Sequence, residues 1–425
     1  MPLQETPAVP SATAPTTTSV SSLLRDISDV GRDRNRGGYS RPVFSGAETE
    51  LRNWFVEQAG RRGLDVDTDH NGIIWAWWDT TAGTRKDAVV TGSHLDSVPG
   101  GGEYDGPLGV ASALVAVDIL KARRFRPRRP LAIAVFPEEE GSRFGVACLG
   151  SRLLTGELAP DKARRLKDAD GNTYADIASA NGQDPRLIGA DYTTLQQLGL
   201  FVELHVEQGR GLIDLHQPVA IGSSILGHGR WKLTISGQGN HAGTTLMAGR
   251  RDPMIAAGKI MVSIRDTARK YRDARATVGR LQPVPGGTNV IASRVDLWID
   301  VRHPNDSVTA ALVEAIGLNA ELMAAEEGCT ASLTTESLSP TVHFDGGLRD
   351  RLQALLPDAP VLDTGAGHDA GVLSSQIPTA MLFVRNPTGV SHSPEELVED
   401  WDAEAGAVAL ADSLAGLLGE ACVVG

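Results

Sequence analysis

The chain has 425 residues, a length that favours more than one domain. Hydrophobic residues make up 41% and charged residues 22%, which is typical of a globular protein, and the net charge of −13 argues against a nucleic-acid partner. No apolar run approaches the roughly 18 residues of a membrane span. The three cysteines have no paired spacing, so we expect free thiols and neither disulfides nor a zinc knuckle.

The first 20 residues are rich in Pro, Thr, Ser and Ala. They lack the basic segment and the apolar segment of a secretory signal, so we interpret residues 1–20 as a disordered tail. Free cysteines without such a signal predict a cytoplasmic protein.

From residue 21 to residue 225, strand-like runs alternate with helical stretches. Apolar runs at 88–90, 131–136 and 200–204 predict strands, and a helix candidate begins at Pro107. This alternation predicts an α/β domain built on a mixed sheet.

Near Trp231 the pattern changes, and the next elements follow the order strand, helix, strand, strand, helix, strand. That order predicts an α+β domain of the split βαβ, ferredoxin-like type over residues 226–337. It interrupts the α/β domain, which resumes at residue 338 and continues to residue 425, with a further strand-like run at 379–384.

Four strand-like runs carry His, Asp or Glu at or just beyond their C-terminal ends, the edge where sites form in open α/β sheets. Two divalent ions about 3.5 Å apart need one bridging carboxylate and two further ligands each. Asp105, after a glycine-rich loop, suits the bridge. The mixed nitrogen and oxygen donors suit zinc, with manganese, cobalt or nickel as alternatives. The candidate metal ligands are His94, Asp105, Glu140, His205 and His392.

Three consecutive acids, Glu138, Glu139 and Glu140, follow the run at 131–136. One carboxylate would bind metal, and its neighbour would take a proton from water and pass it to a leaving nitrogen. We assign Glu139 as the base and Glu140 as the ligand, and the sequence leaves this register open by one residue. Asp96, two residues after His94, is predicted to orient its imidazole, the alternative being a turn cap.

The inserted region carries three further candidates. His241 lies among small residues in Gly-Asn-His-Ala-Gly, where it could polarise a carbonyl group. Arg302 with Asn289 would form a clamp for a carboxylate. Individually these are ordinary turn and surface residues, but together they predict a substrate-binding face. The His368–Asp369 pair stays open between a supporting role and a simple turn.

These motifs resemble those of the M20-type metallo-amidohydrolases, in the branch of the N-carbamoyl-L-amino acid hydrolases, β-ureidopropionases and allantoate amidohydrolases. The resemblance spans residues 92 to 396, and the HVEQG and NHAGTT segments favour this branch over the aminoacylases and dipeptidases. One departure is Leu246, since this Thr-Thr pair is commonly followed by proline. The segments are GSHLDSVPGGGEYDG, PEEEGSRF, ELHVEQG, GNHAGTT, GGTNVIA, DVRH, GAGHDA and SHSPEE.

The resemblance implies two divalent ions on the candidate ligands, with Glu139 as base. It implies that Gln208, His241, Asn289 and Arg302 contact substrate. It also implies a homodimer built through the inserted domain, which would act as a lid, with His241 reaching the partner's site.

We therefore expect a metal-dependent amidohydrolase that cleaves a linear ureido amide and releases ammonia. The nearest alternative is an aminoacylase or dipeptidase of the same family, which would release no ammonia. A non-catalytic binding protein is the more distant alternative, and the complete ligand set with an intact Glu139 argues against it. The sequence does not choose among allantoate, carbamoyl-α-amino acids and carbamoyl-β-alanine.

Overall fold

The computed structural model of the protein describes residues 18–419. Its elements up to residue 225 are α1 (Val20–Asp26), α2 (Gly46–Arg61), β1 (Asp65–Thr68), β2 (Ile74–Trp78), β3 (Ala88–His94), α3 (Pro107–Ala122), β4 (Leu131–Phe136), α4 (Leu149–Thr155), α5 (Pro160–Arg164), α6 (Tyr174–Ala180), α7 (Tyr192–Leu195), β5 (Leu198–Val206), α8 (Gly211–Leu215) and β6 (Val219–Ile225). The remaining elements are β7 (Gly227–Ser236), β8 (Asn240–His241), α9 (Pro253–Ala268), β9 (Arg275–Val284), β10 (Val290–Ile291), β11 (Arg294–His303), α10 (Asp306–Glu326), β12 (Thr330–Ser339), β13 (Val342–His343), α11 (Gly346–Leu355), β14 (Val361–Thr364), α12 (Asp369–Leu373), β15 (Thr379–Val384) and α13 (Asp400–Leu418).

The described chain forms two compact units. The first contains residues 18–221, 350–360 and 375–419, and the second contains residues 222–349 and 361–374. The second unit includes the whole of the inserted region predicted at 226–337 and takes in chain on both sides of it.

The N-terminal tail predicted at 1–20 lies outside the described residues as far as residue 17. Its last residue, Val20, begins α1, which Ser19 caps by accepting a hydrogen bond from the main chain of Ser22. Val20, the first residue of α1, is buried.

Six strands of the first unit, together with β6, which begins in it, form a mixed sheet in the order β1-β2-β4-β3-β5-β15-β6. The four central strands, β4, β3, β5 and β15, run parallel to one another, whereas β2 and β6 pair antiparallel to their neighbours. The predicted mixed-sheet α/β class is confirmed. Because the central strands are parallel, their carboxyl ends meet at one edge of the sheet.

The central strands are apolar on both faces because helices cover them. Every residue of β3, β4 and β15 is buried, the pattern expected for parallel strands between layers. Helix α3 starts at Pro107, as predicted, and packs against α13 and β3. The strand ends that carry the candidate ligands therefore rest on a rigid, water-excluded core.

Two glycines allow close approaches around the end of β3. Gly92 has a φ of +148°, and a Cβ there would collide with the main chain of Ala134 on β4. Gly106, with a φ of +85°, precedes α3, and a Cβ there would lie 2.6 Å from the His94 ring. Only glycine combines these dihedrals with these approaches.

The second unit contains a four-stranded antiparallel sheet in the order β12-β7-β11-β9. Helices α9 and α10 cover it, and their apolar residues share one core with the strands. A separate two-stranded ladder joins β8 to β10 and pairs His241 with Val290.

Helix α10 is the one described helix long and apolar enough, by length and composition, to cross a membrane. Its buried residues, Leu312, Ile316, Ala320 and Ala324, belong to the core of the second unit. Packing against the sheet therefore accounts for the apolar residues on this face of the helix.

Replacing Gly92 by alanine should lower the free energy of unfolding by roughly 3 kcal/mol or more. The new Cβ would collide with the main chain of Ala134, and neither strand can move away without breaking the hydrogen bonds between β3 and β4. Gly60→Ala is the matched control. That glycine lies within α2 with open space around its Cα, so alanine should stabilise by about 0.5–1 kcal/mol. Urea unfolding measures both, and a neutral Gly92→Ala would contradict the packing described.

Candidate metal centre and active site

The carboxyl edge of the parallel strands brings together the predicted ligands that lie in the first unit. His94 is the last residue of β3 and His205 is the penultimate residue of β5, while Glu140 follows β4 and His392 follows β15. This convergence arises from strand direction and order, as the sequence pattern predicted.

Asp105 lies at the centre of this group. Its Oδ1 is 3.6 Å from Nε2 of His94 and 3.3 Å from Nε2 of His205. Its Oδ2 is 3.6 Å from Nε2 of His392, whose ring in turn lies 3.4 Å from Oε2 of Glu140. Two clusters able to hold a metal ion result, and they share this one carboxylate. They are His94, Asp105 and His205, and Asp105, Glu140 and His392.

The two buried imidazoles are oriented by main-chain oxygens. Nδ1 of His94 lies 2.9 Å from the carbonyl oxygen of Asp96, and Nδ1 of His205 lies 3.1 Å from that of Val206. A carbonyl oxygen only accepts hydrogen bonds, so each Nδ1 is assigned the proton and each Nε2 presents a lone pair. The two Nε2 atoms face each other at 3.4 Å.

The role of Asp96 differs from the sequence prediction. Its carboxylate Oδ1 is 3.8 Å from Nδ1 of His94, because the main-chain oxygen of the same residue occupies the hydrogen-bonding position. The carboxylate instead accepts the main-chain N–H groups of Glu139 and Glu140, each at 3.1 Å. Asp96 thus links the end of β3 to the acidic loop after β4.

The acidic loop separates its three glutamates. Glu140 belongs to the second metal cluster, whereas Oε2 of Glu139 lies 3.8 Å from Nε2 of His94, beside the first. Glu138 has a φ of +56° and turns away, so that its Oε1 accepts the main-chain N–H groups of Arg143 and Phe144. The geometry favours the predicted register.

Burial and charge act against each other at this centre. Burial would raise the pKa of Asp105, but the neighbouring imidazoles of His205 and His94 hold the pKa of that carboxyl well below its usual range. Burial would lower the pKa of His94, but the carboxylates of Glu139, Asp105 and Asp96 outweigh it and raise that pKa. Burial and the charge of Asp105 raise the pKa of Glu140. This concentration of buried carboxyl groups favours the binding of a positive charge nearby.

The donor set fits a pair of divalent cations. Two Nε2 lone pairs facing each other beside a carboxylate repel unless positive charge lies between them. Imidazole nitrogens combined with carboxylate oxygens suit zinc and similar transition metals. A shared carboxylate flanked by two ligands on each side is the arrangement of two-metal hydrolases.

Gln208, which follows β5, contacts the shared carboxylate. Its Nε2 donates a hydrogen bond of 3.2 Å to Oδ2 of Asp105. This predicted substrate residue therefore also holds Asp105 in place.

His241 and Asn289 lie close together in the second unit. The main-chain N–H of Ala242 donates to the main-chain oxygen of Asn289 at 3.0 Å. Nδ1 of His241 accepts the N–H groups of Gly243 and Thr244 at 3.1 and 3.3 Å. Its proton is therefore assigned to Nε2, which is exposed and able to donate.

The guanidinium group of Arg302 donates hydrogen bonds within the second unit. Asp300, two residues earlier on β11, accepts from Nε at 2.7 Å and from one terminal nitrogen at 3.1 Å. The other terminal nitrogen donates to the main-chain oxygen of Gly365 at 2.6 Å. The guanidinium is thus oriented in advance.

Sequence reasoning missed Glu396, which is buried four residues after His392. Its Oε2 accepts from the hydroxyl of Ser391 at 2.9 Å, and burial with the charge of Asp105 raises its pKa to about 8. It also missed Cys148, whose thiol lies near Glu139. In the sequence, the only indication of Glu396 was its position in the SHSPEE segment, and no pattern indicated Cys148.

The sequence model of the family described as Peptidase family M20/M25/M40 matches residues 90–415 of the chain. The chain belongs to this family. It is 36% identical over 395 residues to an N-carbamoyl-L-amino acid amidohydrolase of Geobacillus stearothermophilus, covering 91% of this chain and 95% of that protein. It is 31% identical to an allantoate amidohydrolase of Escherichia coli (strain K12), covering 92% and 96%. A hydantoinase/carbamoylase family amidase from Burkholderia multivorans has a similar structure, with a TM-score of 0.84, 29% identity and coverage of 95% and 98%.

Asp105→Ala should reduce bound metal from about two ions per chain to well under one, because both clusters use this carboxylate. His392→Ala should weaken only the second cluster and leave about one ion. Elemental analysis after dialysis measures both, with circular dichroism to check the fold. An Asp105→Ala protein that keeps two ions would contradict the shared role.

Proposed function

We propose that this protein is a metal-dependent amidohydrolase that cleaves the linear amide C–N bond of a ureido substrate and releases ammonia. One observation carries the proposal: two clusters of side chains able to hold a metal ion share Asp105, and the carboxylate of Glu139 lies beside them. The names of the Geobacillus and Escherichia relatives supply the substrate class, an N-carbamoyl-L-amino acid or allantoate.

Two divalent ions, which we propose are zinc with manganese, cobalt or nickel as alternatives, would act as Lewis acids toward the amide carbonyl and lower the pKa of water. His94, Asp105 and His205 would hold one ion, and Asp105, Glu140 and His392 the other. Asp96 anchors the acidic loop, and Gln208 steadies the shared carboxylate.

Glu139 is the proposed base. It accepts a proton from the attacking water and delivers it to the departing nitrogen. For a carbamoyl amino acid, cleavage of the carbamoyl group yields ammonia, carbon dioxide and the free amino acid. The anchoring of the Glu139 main chain by Asp96 restricts where its carboxylate can reach.

We propose His241, Asn289 and Arg302 as substrate contacts. The Nε2 proton of His241 is available to donate to an oxyanion, because its Nδ1 accepts two main-chain N–H groups. Asp300 and Gly365 use three of the five N–H groups of Arg302, so one on each terminal nitrogen is left for a substrate carboxylate, and the Asn289 amide would add a further donor.

The second unit is the proposed lid and dimerisation domain, in a cytoplasmic homodimer in which His241 reaches the partner's site. Support comes from apolar side chains that remain exposed on its two helices: Ile255 and Val262 on α9, and Leu318 and Leu322 on α10. Leu318 and Leu322 are 56% and 67% exposed, which favours a partner surface.

Sedimentation equilibrium should give a dimer for the wild type, because the exposed apolar helix faces are buried on association. Leu322→Lys should raise the dissociation constant of the dimer by about tenfold or more, because an apolar contact is replaced by an ammonium group that must lose its water on association. Thr334→Lys, which adds the same charge at an exposed residue of β12 in the same unit, is the control. A monomeric wild type would contradict the homodimer.

Ammonia release identifies the substrate. The metal-loaded protein would be given allantoate, several N-carbamoyl-L-amino acids, N-carbamoyl-β-alanine and N-acetyl amino acids, with and without chelator. We expect chelator-sensitive ammonia from at least one ureido compound. Cleavage of the acetyl compounds alone, followed as free amino acid, would instead assign the protein to the aminoacylases.

Two variants separate chemistry from binding. Glu139→Gln should retain its metal and lower kcat by about 10²- to 10⁴-fold, because proton transfer is lost. Arg302→Ala should raise KM for carboxylate substrates by about 10- to 100-fold, because a charge-assisted bidentate contact is lost. Steady-state kinetics with metal analysis measures both. A normal kcat for Glu139→Gln refutes the base, and an unchanged KM for Arg302→Ala refutes the clamp.

A further inference from the structure

The thiol of Cys148 lies against the proposed base. Cys148 precedes α4 with a φ of +53° and is 3% exposed. Its Sγ is 3.6 Å from Oε1 of Glu139, within hydrogen-bond reach for sulfur, and its main-chain N–H donates to the main-chain oxygen of Glu139 at 2.7 Å. Both the side chain and the main chain of Cys148 therefore contact this glutamate.

The two oxygens of the Glu139 carboxylate face different surroundings. Oε1 is directed to the thiol, whereas Oε2 lies 3.8 Å from Nε2 of His94, on the side of the metal ligands. The main-chain N–H of Glu139 is bound by Asp96. Three contacts thus fix the residue through its N–H group, its carbonyl group and one carboxylate oxygen.

A glutamate side chain has three rotatable bonds, so fixing its main chain alone leaves the carboxylate free to swing. Productive proton transfer needs the carboxylate within roughly 0.5 Å of the right position. A donor on one oxygen orients the carboxyl plane and leaves the second oxygen available. A neutral thiol is a weak donor and suits this task in a buried place.

We infer that Cys148 is a positioning residue whose thiol holds Oε1 of Glu139 and thereby directs Oε2 toward the reacting water. The inference rests on the proposed function, since it takes Glu139 to be the base. Cys148 itself touches neither substrate nor metal in this scheme.

The test compares Cys148→Ala with Cys148→Ser. A β-branched replacement is avoided, because a positive φ would strain it. Alanine removes the donor, so we expect kcat to fall about two- to tenfold with KM and metal content unchanged. Serine restores a donor and should keep kcat within about twofold of the wild type. Cys329→Ala, at the other buried cysteine of the described chain that forms no disulfide, is the matched control and should leave kcat unchanged.

A second readout does not depend on turnover. The infrared difference spectrum of wild type minus Cys148→Ala isolates the S–H stretching band of Cys148. If Glu139 accepts this hydrogen bond, the band should move to higher frequency in Glu139→Ala, where the acceptor is gone. A band unchanged by Glu139→Ala would overturn the inference.

The kinetic outcomes distinguish this inference from the proposed function. A normal kcat for Cys148→Ala beside an inactive Glu139→Gln would overturn the positioning role alone. Equal losses in the alanine and serine variants would assign Cys148 to packing and overturn it too. An active Glu139→Gln would remove the base, and with it both proposals.

Discussion

The carboxylate of Asp105 is the contact on which the candidate site depends. Each of its oxygens lies near imidazole nitrogens of a different cluster, so one side chain joins two sets of ligands. Burial makes this charge costly, and the histidines around it offset that cost. In the low dielectric of this buried site, the attraction between the carboxylate and any cation held there would be stronger than in water.

The rest of the first unit serves to place that carboxylate and its neighbours. Four parallel strands end at one edge, and the buried strands that carry His94 and His205 give these two side chains little freedom. Gly106 permits the chain to pass directly beside the His94 ring, so that Asp105 reaches the centre. Positive φ values at Glu138, Cys148 and His392 show how tightly the surrounding loops are turned, as is common around functional sites.

Much of this could be predicted from the sequence, because apolar runs followed by His or Glu are a local pattern. The runs at 88–90, 131–136 and 379–384 lie in strands, and the helix predicted from Pro107 is α3. Hydrogen bonds to main-chain oxygens could not be predicted. The hydrogen bond that orients His94 is accepted by the main-chain oxygen of Asp96. Side-chain identity does not reveal such a bond, so the sequence pattern indicated the Asp96 carboxylate instead. The engagement of Arg302 by Gly365 likewise depends on tertiary structure.

The central claim is that Asp105 joins two metal ions in one catalytic centre. X-ray diffraction from crystals of the metal-loaded protein, collected on both sides of the metal absorption edge, tests it most directly. We predict two anomalous peaks about 3.5–4 Å apart, one on each side of the Asp105 carboxylate. A single peak, or peaks that Asp105 does not contact, would contradict the account.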